Sequence, residues 1–485
     1  MSVRDYGNWI GGEWRRSELF REVNSPTSGV VIARRSEIDD LLLEKAVAAA
    51  ERSFGQYRRV SRSTRSKLLL AMAQGLGERR AEIAQTMVEE AGKPWLLSDA
   101  EVGRAVTTFT VAAEEAKRLV GDLIAIDIET SGRPFDDAIS YWVPRGPVLA
   151  ISPFNFPLNL AAHKVAPALA CGASVILKPP PQAPGATVIL AEIFAEAAKQ
   201  VSDSREIVPL DAFQLIHASN EVMALAVSDT RLKTLSFTGS QAVGWKLQAQ
   251  AVRKKVVLEL GGNAAVIVDE TADLKRAAAR CAYGAFAYAG QVCISVQRIF
   301  VQEKVRSAFE KLFLEEVGRV PCGDPVDHKT VCGPLIDAKA ADRVLSWIDE
   351  AKRAGARILV GGNRDRNFIA PTVLTDVPRD QPIVAQEAFG PVVILESYSE
   401  FNDAIRAVND SQFGLQAGLF TSNLEHLRRV KDELEVGGIL INEVPTYRQD
   451  NMPYGGVKES GLGREGLRYA MEDFSERRTL VTWKG

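Results

Sequence analysis

The stretch TLSFTGSQAVG, residues 234–244, runs from a short β-branched and aromatic segment through a Gly-Ser turn into a helical pattern. It reads as strand, tight turn, helix. The alternation continues on both sides. Upstream stand VLAIS (148–152), the helical NLAAHKVAPALA (159–170), SVILK (174–178), a helix from 185 to about 199, FQLIH (213–217) and a helix near 221–228; downstream come a helix near 242–251 and VVLEL (256–260). Strands and helices alternating at this length make βαβ units, and so a parallel sheet with helices on both faces. Such sheets bind ligands at the carboxyl ends of their strands. Those ends carry Ser152 to Asn155, Lys178, Thr238-Gly239-Ser240 and Glu259.

At 485 residues the chain calls for two or three domains, enough to enclose a cleft. Lys plus Arg number 59 against 62 Asp plus Glu, a net charge of −3, so no broad basic surface for nucleic acid or anionic lipid is implied. The partners implied are small molecules. Five cysteines at 171, 281, 293, 322 and 332 give neither a disulfide framework nor a CxxC metal pair, which fits a reducing cytoplasm and no metal. The start, MSVRDYGNWIGGEW, lacks the apolar run of a secretory signal. No apolar stretch reaches the length of a membrane span.

Residues 261–458 read as a second α/β region, with VRSAFEKLFLEEV, RVLSWIDEAKRAGA, RILVGG and FNDAIRAVND. In 95–120, Val102, Val106, Phe109, Ala113, Ala116 and Val120 share a helical face expected to be core. Arg104 and Thr108 fall on another side, open to solvent or a cleft. The terminal TLVTW (479–483) reads as a strand whose partner is a distant segment or another subunit.

Several residues could carry chemistry, each with a plainer reading. FTGSQAVG could aim helix N-terminal N–H groups at a phosphate, or be an ordinary turn. It lacks both G-x-G-x-x-G and the ATPase-type lysine. Lys178, ahead of three prolines, suits a ribose or phosphate contact, or simply solvation. Glu259, inside LELGG, would have its pKa raised by burial toward that of a general base, or be tied to nearby backbone. Asn155 in SPFNFP could donate to an oxyanion, or form a turn. Cys293 in YAGQVCISVQR is a nucleophile or a small buried hydrophobe.

Together, SPFNFP, LKPP, FTGS, LELGG, GQVC, EAFGP and PYGGVKESGLGREG, in this order over nearly the whole chain, resemble the aldehyde dehydrogenase superfamily. The resemblance implies an α/β fold in three parts. These are a Rossmann-type NAD(P)-binding domain (1–125 and 145–260), an α/β catalytic domain (261–458) and a small β oligomerisation element (126–144 and 459–485) giving a homodimer or homotetramer. It implies Cys293 as nucleophile, Glu259 as general base, and Asn155 with the Cys293 N–H as oxyanion hole. It places Lys178 at the adenine ribose, Gly239, Ser240 and Gly244 along the pyrophosphate, and Glu387 with Phe389 at the nicotinamide ribose and ring. The reaction implied is thiolate attack on an aldehyde, hydride loss to the nicotinamide, and hydrolysis of the resulting thioester. Pro181 stands where the family often has a ribose-binding glutamate, so NADP is permitted alongside NAD and is a candidate for the preferred cofactor.

The phrase VPTYRQDNMPYGGVKESG (444–461) is closest to the phosphonoacetaldehyde, lactaldehyde and succinate-semialdehyde dehydrogenase branch. Arg448 and Arg104 are then candidates to grip an anionic substrate tail, and Arg298 reads as structural. Val292, before the cysteine, withholds a charge, so neutral or aromatic aldehydes stay open. A thiol hydrolase would need a histidine base beside Cys293, and His163 has the most suggestive position of the four. A non-catalytic cofactor-binding protein is the alternative of another class, and the presence of both Cys293 and Glu259 speaks against it.

Overall fold

The computed structural model describes residues 3–126, 128 and 135–483. Its first large sheet has eight strands. Five are parallel, in the spatial order Lys255–Glu259, Thr234–Thr238, Val148–Ile151, Val175–Lys178, Phe213–Leu215. The antiparallel Gly461–Leu462 extends one edge and the Asn8–Ile10 and Glu13–Arg15 hairpin the other. Val148–Ile151 shows why the strands read as unbroken apolar runs. Val148 and Ala150 enter one core while Leu149 and Ile151 enter the core on the opposite face, because successive side chains alternate across a pleated strand. The chain order reverses between Val148–Ile151 and Thr234–Thr238, so their carboxyl ends open a crevice.

The second sheet has seven strands, with Ala264–Val268, Val296–Gln302, Val392–Tyr398 and Gln416–Phe420 at its centre. Within the chain, Ser475–Trp483 pairs antiparallel with Phe135–Pro144, which pairs in turn with Gly121–Ile124. TLVTW thus finds its partner in a distant segment of its own chain. Parts of the 126–144 and 459–485 segments, including 129–134 and the last two residues, lie outside the described residues.

The helix Trp95–Arg118 buries Val102, Phe109, Ala113 and Ala116 as its periodicity predicts. Two expectations fail there. Val120 lies past the helix end and is half exposed. Thr108 is fully buried, its hydroxyl donating to Asn159 Oδ1 at 3.0 Å, because a second helix, Asn159–Cys171, packs against this side. All residues of that second helix are buried. Its N-terminus is closed from outside: Leu158 and Asn159 N–H both donate to Glu101 Oε1 at 2.9 Å. A carboxylate there satisfies free N–H groups and complements the positive end of the helix.

Candidate active site

The crevice at the reversal point has a volume of about 670 Å³ and is lined by Asn155, Gly239, Ser240 and Glu259 from the first sheet's connections, and by Cys293, Glu387 and Phe389 from the second's. Asn155 and Phe389, 234 positions apart in sequence, therefore meet at one cavity.

Cys293 follows a segment with three successive left-handed residues, Tyr288 (φ 53°), Ala289 (φ 52°) and Gly290 (φ 68°). Such conformations cost non-glycine residues about 1–3 kcal/mol each and persist only where the surroundings over-determine them. Here Tyr288 N–H donates to Val331 O at 2.9 Å and its hydroxyl to Ala91 O at 3.1 Å. Gln291 Nε2 donates to Pro334 O at 3.2 Å, and Gln291 Oε1 accepts from Ile336 N–H at 2.9 Å. The LELGG pair supplies room. A Cβ on Gly262 would stand 2.2 Å from Cys293 O, and one on Gly261 would stand 2.5 Å from Glu387 Oε2.

The Cys293 sulfur lies 3.0 Å from Tyr454 Oη. Burial pushes the thiol up to about 12, the Tyr454 hydrogen bond and Arg448 acting against that and Glu387 and Glu259 adding to it. Tyr454, held well above the usual phenol value by burial and then by Cys293, keeps its proton and is the donor of this pair once the sulfur is a thiolate. A hydrogen bond to a charged group is worth about 1.5–3 kcal/mol. Tyr454→Phe is expected to slow iodoacetamide alkylation of Cys293 about tenfold or more at a given pH, followed by peptide mass spectrometry; an unchanged rate would remove Tyr454 from the thiol's environment.

Asn155 is buried and its Nδ2 donates to Gln291 O at 3.0 Å, one residue before the Val292-Cys293 pair. Its second amide hydrogen and the Cys293 N–H have no protein acceptor among the described residues. Asn155 O accepts from Lys93 Nζ at 2.9 Å, and Lys93 is paired with Glu101, both side chains fully buried. One ion pair thus holds the SPFNFP loop and caps the Asn159–Cys171 helix.

Glu259, at the end of its strand, is buried with neither carboxyl oxygen hydrogen-bonded among the described residues. Burial, then Glu465, raises its pKa well above the usual carboxyl value, while Arg448, Lys164 and Arg464 oppose the shift. An acid in this state is a proton acceptor once ionised and is not a backbone tether.

Glu387 Oε1 accepts from Gly262 N–H at 3.0 Å, and burial raises the carboxyl to about 7. Phe389, at φ 45°, sets its ring edge-on to Phe154 with centroids 5.9 Å apart. The flanking loop hangs on Gln297, whose Nε2 donates to Gln386 O at 2.7 Å and whose Oε1 accepts from Ala388 N–H at 2.9 Å. Gly239 and Ser240 line the crevice, whereas Gly244 sits one turn into its helix, where a Cβ would be 2.4 Å from Leu260 Cδ2. Gly244 lets that helix close onto the strand end. Lys178, lowered to about 8 by burial and then Arg35, has Glu37 as its nearby carboxylate. Arg35 donates to Pro181 O at 3.2 Å and pairs with Glu37.

Both candidate substrate arginines have internal partners. Arg104 forks onto Asp450, Nε at 3.1 Å and Nη2 at 2.7 Å. Arg448 has its side chain nearly covered, 3.3 Å from Glu465 Oε2, its guanidinium 3.8 Å over the Tyr454 ring. Lys164 meets Glu465 at 3.0 Å and His163 Nε2 meets Asp450 at 2.8 Å. Among the described residues Cys293 has a tyrosine and no histidine as its side-chain hydrogen-bond partner. Arg298 donates to the backbone carbonyls of Ala407 and Asn263, a structural role. Among the described residues there is no group of three or more metal-ligating side chains and no helix long and apolar enough to cross a membrane. Sequence reading passed over Tyr454 and Arg343, the latter lining the crevice with its guanidinium 4.8 Å over Trp347. Tyr454 could have been found as the polar ring inside PYGG. Arg343 left no signal on its amphipathic helix.

A family model described as the aldehyde dehydrogenase family matches residues 14–480. The 3-sulfolactaldehyde dehydrogenase of Priestia aryabhattai is 39% identical over 489 aligned residues, covering 99% of this chain and 98% of that one. Aldehyde dehydrogenase 21 of Physcomitrella patens, solved with the reaction product succinate, superposes with a TM-score of 0.95 at 37% identity, covering 100% and 99% of the two chains. A glyceraldehyde-3-phosphate dehydrogenase of Methanocaldococcus jannaschii complexed with NADP gives a TM-score of 0.91 at 35% identity, covering 97% and 100%.

Proposed function

The chain belongs to the aldehyde dehydrogenase family and oxidises an aldehyde with NAD(P), and from that premise we propose that Cys293 is the nucleophile, Glu259 the general base and Asn155 an oxyanion donor. The observation that carries this assignment is the meeting of all three at one crevice with Glu387 and Phe389. The Cys293 thiol gives its proton to solvent water in the open crevice, and the sulfur, its negative charge supported by the Tyr454 hydroxyl, adds to the carbonyl carbon. The oxygen accepts from Asn155 Nδ2 and the Cys293 N–H as charge develops on it. Glu387 and Phe389 would hold a nicotinamide at this end of the crevice, and it would supply the hydride acceptor for the thiohemiacetal on Cys293 to become a thioester. Glu259, ionised, then takes a proton from water as the water oxygen attacks the thioester carbon; the C–S bond breaks, and a carboxylic acid and free Cys293 result.

The crevice fits a dinucleotide, with the Gly239-Ser240 turn for phosphate and Glu387 for a ribose. Around Lys178, two cations, Lys178 and Arg35, face one carboxylate, Glu37. That excess positive charge supports acceptance of a 2′-phosphate, and thus NADP.

The substrate we infer is a short aldehyde with an anionic tail. Arg104, Arg448 and Lys164 provide three positive charges against Asp450 and Glu465, and Glu259 is held toward its neutral form, so the group retains one positive charge, with Arg448 the member whose charge acts on Cys293. The anionic compounds named for the relatives, sulfolactaldehyde, succinate and glyceraldehyde 3-phosphate, agree with this. Initial rates on short anionic aldehydes and neutral homologues of equal length should give kcat/KM at least about tenfold higher for the anions, with the preference falling in Arg104→Gln. Equal rates would favour the neutral-aldehyde reading, to which the Asp450 and Glu465 partners of the arginines would then point.

The chain is proposed to form a homodimer or homotetramer through its three-stranded sheet. Leu123, Ile139 and Leu480 lie in one cross-strand row and are 71%, 48% and 53% exposed, an apolar stripe suited to burial between subunits. Light scattering of Leu480→Glu is expected to show a smaller species than wild type; an unchanged mass would place the interface elsewhere.

A further inference from the structure

Behind the loop that carries Cys293 lies a second thiol chemistry. Cys322 and Cys332 are the two ends of the turn CGDPVDHKTVC, and they face each other as a parallel β-bridge. The bridge is closed by Cys332 N–H donating to Pro321 O at 3.0 Å and Gly323 N–H to Cys332 O at 3.1 Å. The turn itself is pinned. Thr330 Oγ1 donates to Asp324 O at 2.8 Å, Trp95 N–H to Pro325 O at 2.8 Å, and the His328 ring stacks on Trp95 with centroids 4.9 Å apart. Residues directly paired across a bridge fall within the Cα separation that a disulfide spans. The two thiols differ in access, since Cys322 is exposed and Cys332 is buried.

We propose that Cys322 and Cys332 form a reversible dithiol site, oxidised by a peroxide to an intramolecular disulfide in which Cys322 is the attacking and Cys332 the resolving residue. The exposed Cys322 thiolate attacks one peroxide oxygen, the O–O bond breaks, and a sulfenic acid and hydroxide form. Cys332 gives up its proton and its sulfur attacks the Cys322 sulfur; the S–O bond breaks, the S–S bond forms and water leaves. Two thiols are oxidised and one peroxide is reduced to two waters.

The electrostatics follow this order of events. A hydrogen bond from the Cys332 thiol lowers Cys322 below the usual thiol value. Cys332 is raised by that same hydrogen bond to Cys322, then by burial and by the Cys322 charge, while the Ala289 N–H lowers it. The contributions from ionised Cys322 vanish once Cys322 is sulfenic acid, so the first step readies Cys332 for the second. The remaining cysteines offer no rival pair: Cys171 and Cys281 are buried in different cores.

The site also adjoins the catalytic loop. Val331 O, one residue before Cys332, accepts from Tyr288 N–H at 2.9 Å. That carbonyl braces the first of the left-handed residues that lead to Cys293.

The test uses full-length Cys293→Ser, which leaves four of the five free thiols. After hydrogen peroxide treatment and denaturation, the thiol count is expected to fall from four to two and to return with dithiothreitol. A non-reducing peptide map should show the 322 and 332 peptides joined, lighter than the sum of the reduced peptides by two hydrogens. Cys322→Ser in the same background should keep its three thiols and yield no joined peptide. The same map on wild-type enzyme shows whether the bridge forms with Cys293 present. Sulfinic acid at Cys322 with Cys332 left as a free thiol, or a joined peptide involving Cys171 or Cys281, would overturn the proposal.

Discussion

Glu259→Gln should reduce steady-state turnover by about 10²–10⁴-fold, the range that general-base catalysis supplies, while leaving the first turnover largely intact. The amide keeps the shape of the carboxyl and cannot accept the water proton. Attack by Cys293 and loss of hydride precede that water step, so a burst of about one reduced cofactor per active site should appear before the rate collapses. The substitution suits its surroundings. Glu259 is buried with both oxygens unpaired among the described residues and is already displaced toward its neutral form by burial and Glu465, so a neutral side chain of the same size adds no unpaired charge. Circular dichroism and cofactor affinity should therefore stay near wild type. A burst lost together with turnover would assign Glu259 to thiol activation.

The second large effect concerns stability. Lys93→Met is expected to cost about 3–5 kcal/mol, the usual penalty for leaving one member of a buried ion pair uncompensated. The Lys93 and Glu101 side chains are fully buried. The ammonium also donates to Asn155 O and lies 3.4 Å from the centroid of the Phe156 ring. Without it, Glu101 is a bare charge that still caps the helix at Leu158 and Asn159. Urea unfolding should show the loss as a lower midpoint at unchanged slope. Because the same lysine holds the loop bearing Asn155, kcat should fall in the fraction that remains folded. A Lys93→Met, Glu101→Gln double variant should recover part of the stability, since it removes both charges. An unchanged midpoint in the single variant would show that the pair is not a buried unit.

What could be read in the sequence follows from the range of the interactions involved. Parallel strands buried on both faces leave continuous apolar runs, so Val148–Ile151 and Thr234–Thr238 were visible, and the ends of those strands located the crevice. Cys293, Glu259 and Asn155 sit in short local motifs, each stiffened by its own glycines, prolines or aromatics. The partners of these residues were hidden. Arg104 meets Asp450 across 346 positions and Cys293 meets Tyr454 across 161, and such pairs leave no periodic trace. Thr108 was misplaced for the same reason, as only the arrival of the Asn159–Cys171 helix makes its side of the helix interior. At Pro181, local reading showed that a carboxylate was missing. The one near Lys178, Glu37, comes from the far N-terminal part of the chain.

In the proposed reaction a covalent thioester on Cys293 precedes the water step at Glu259. Acid-quenched Glu259→Gln enzyme, mixed with its aldehyde and NADP and digested for mass spectrometry, tests it most directly. The acyl group is expected on the peptide containing Cys293, at near one per chain, and is expected to be absent when Cys293→Ala is added. An unmodified Cys293 peptide after the burst, or an acyl group on another residue, would contradict it.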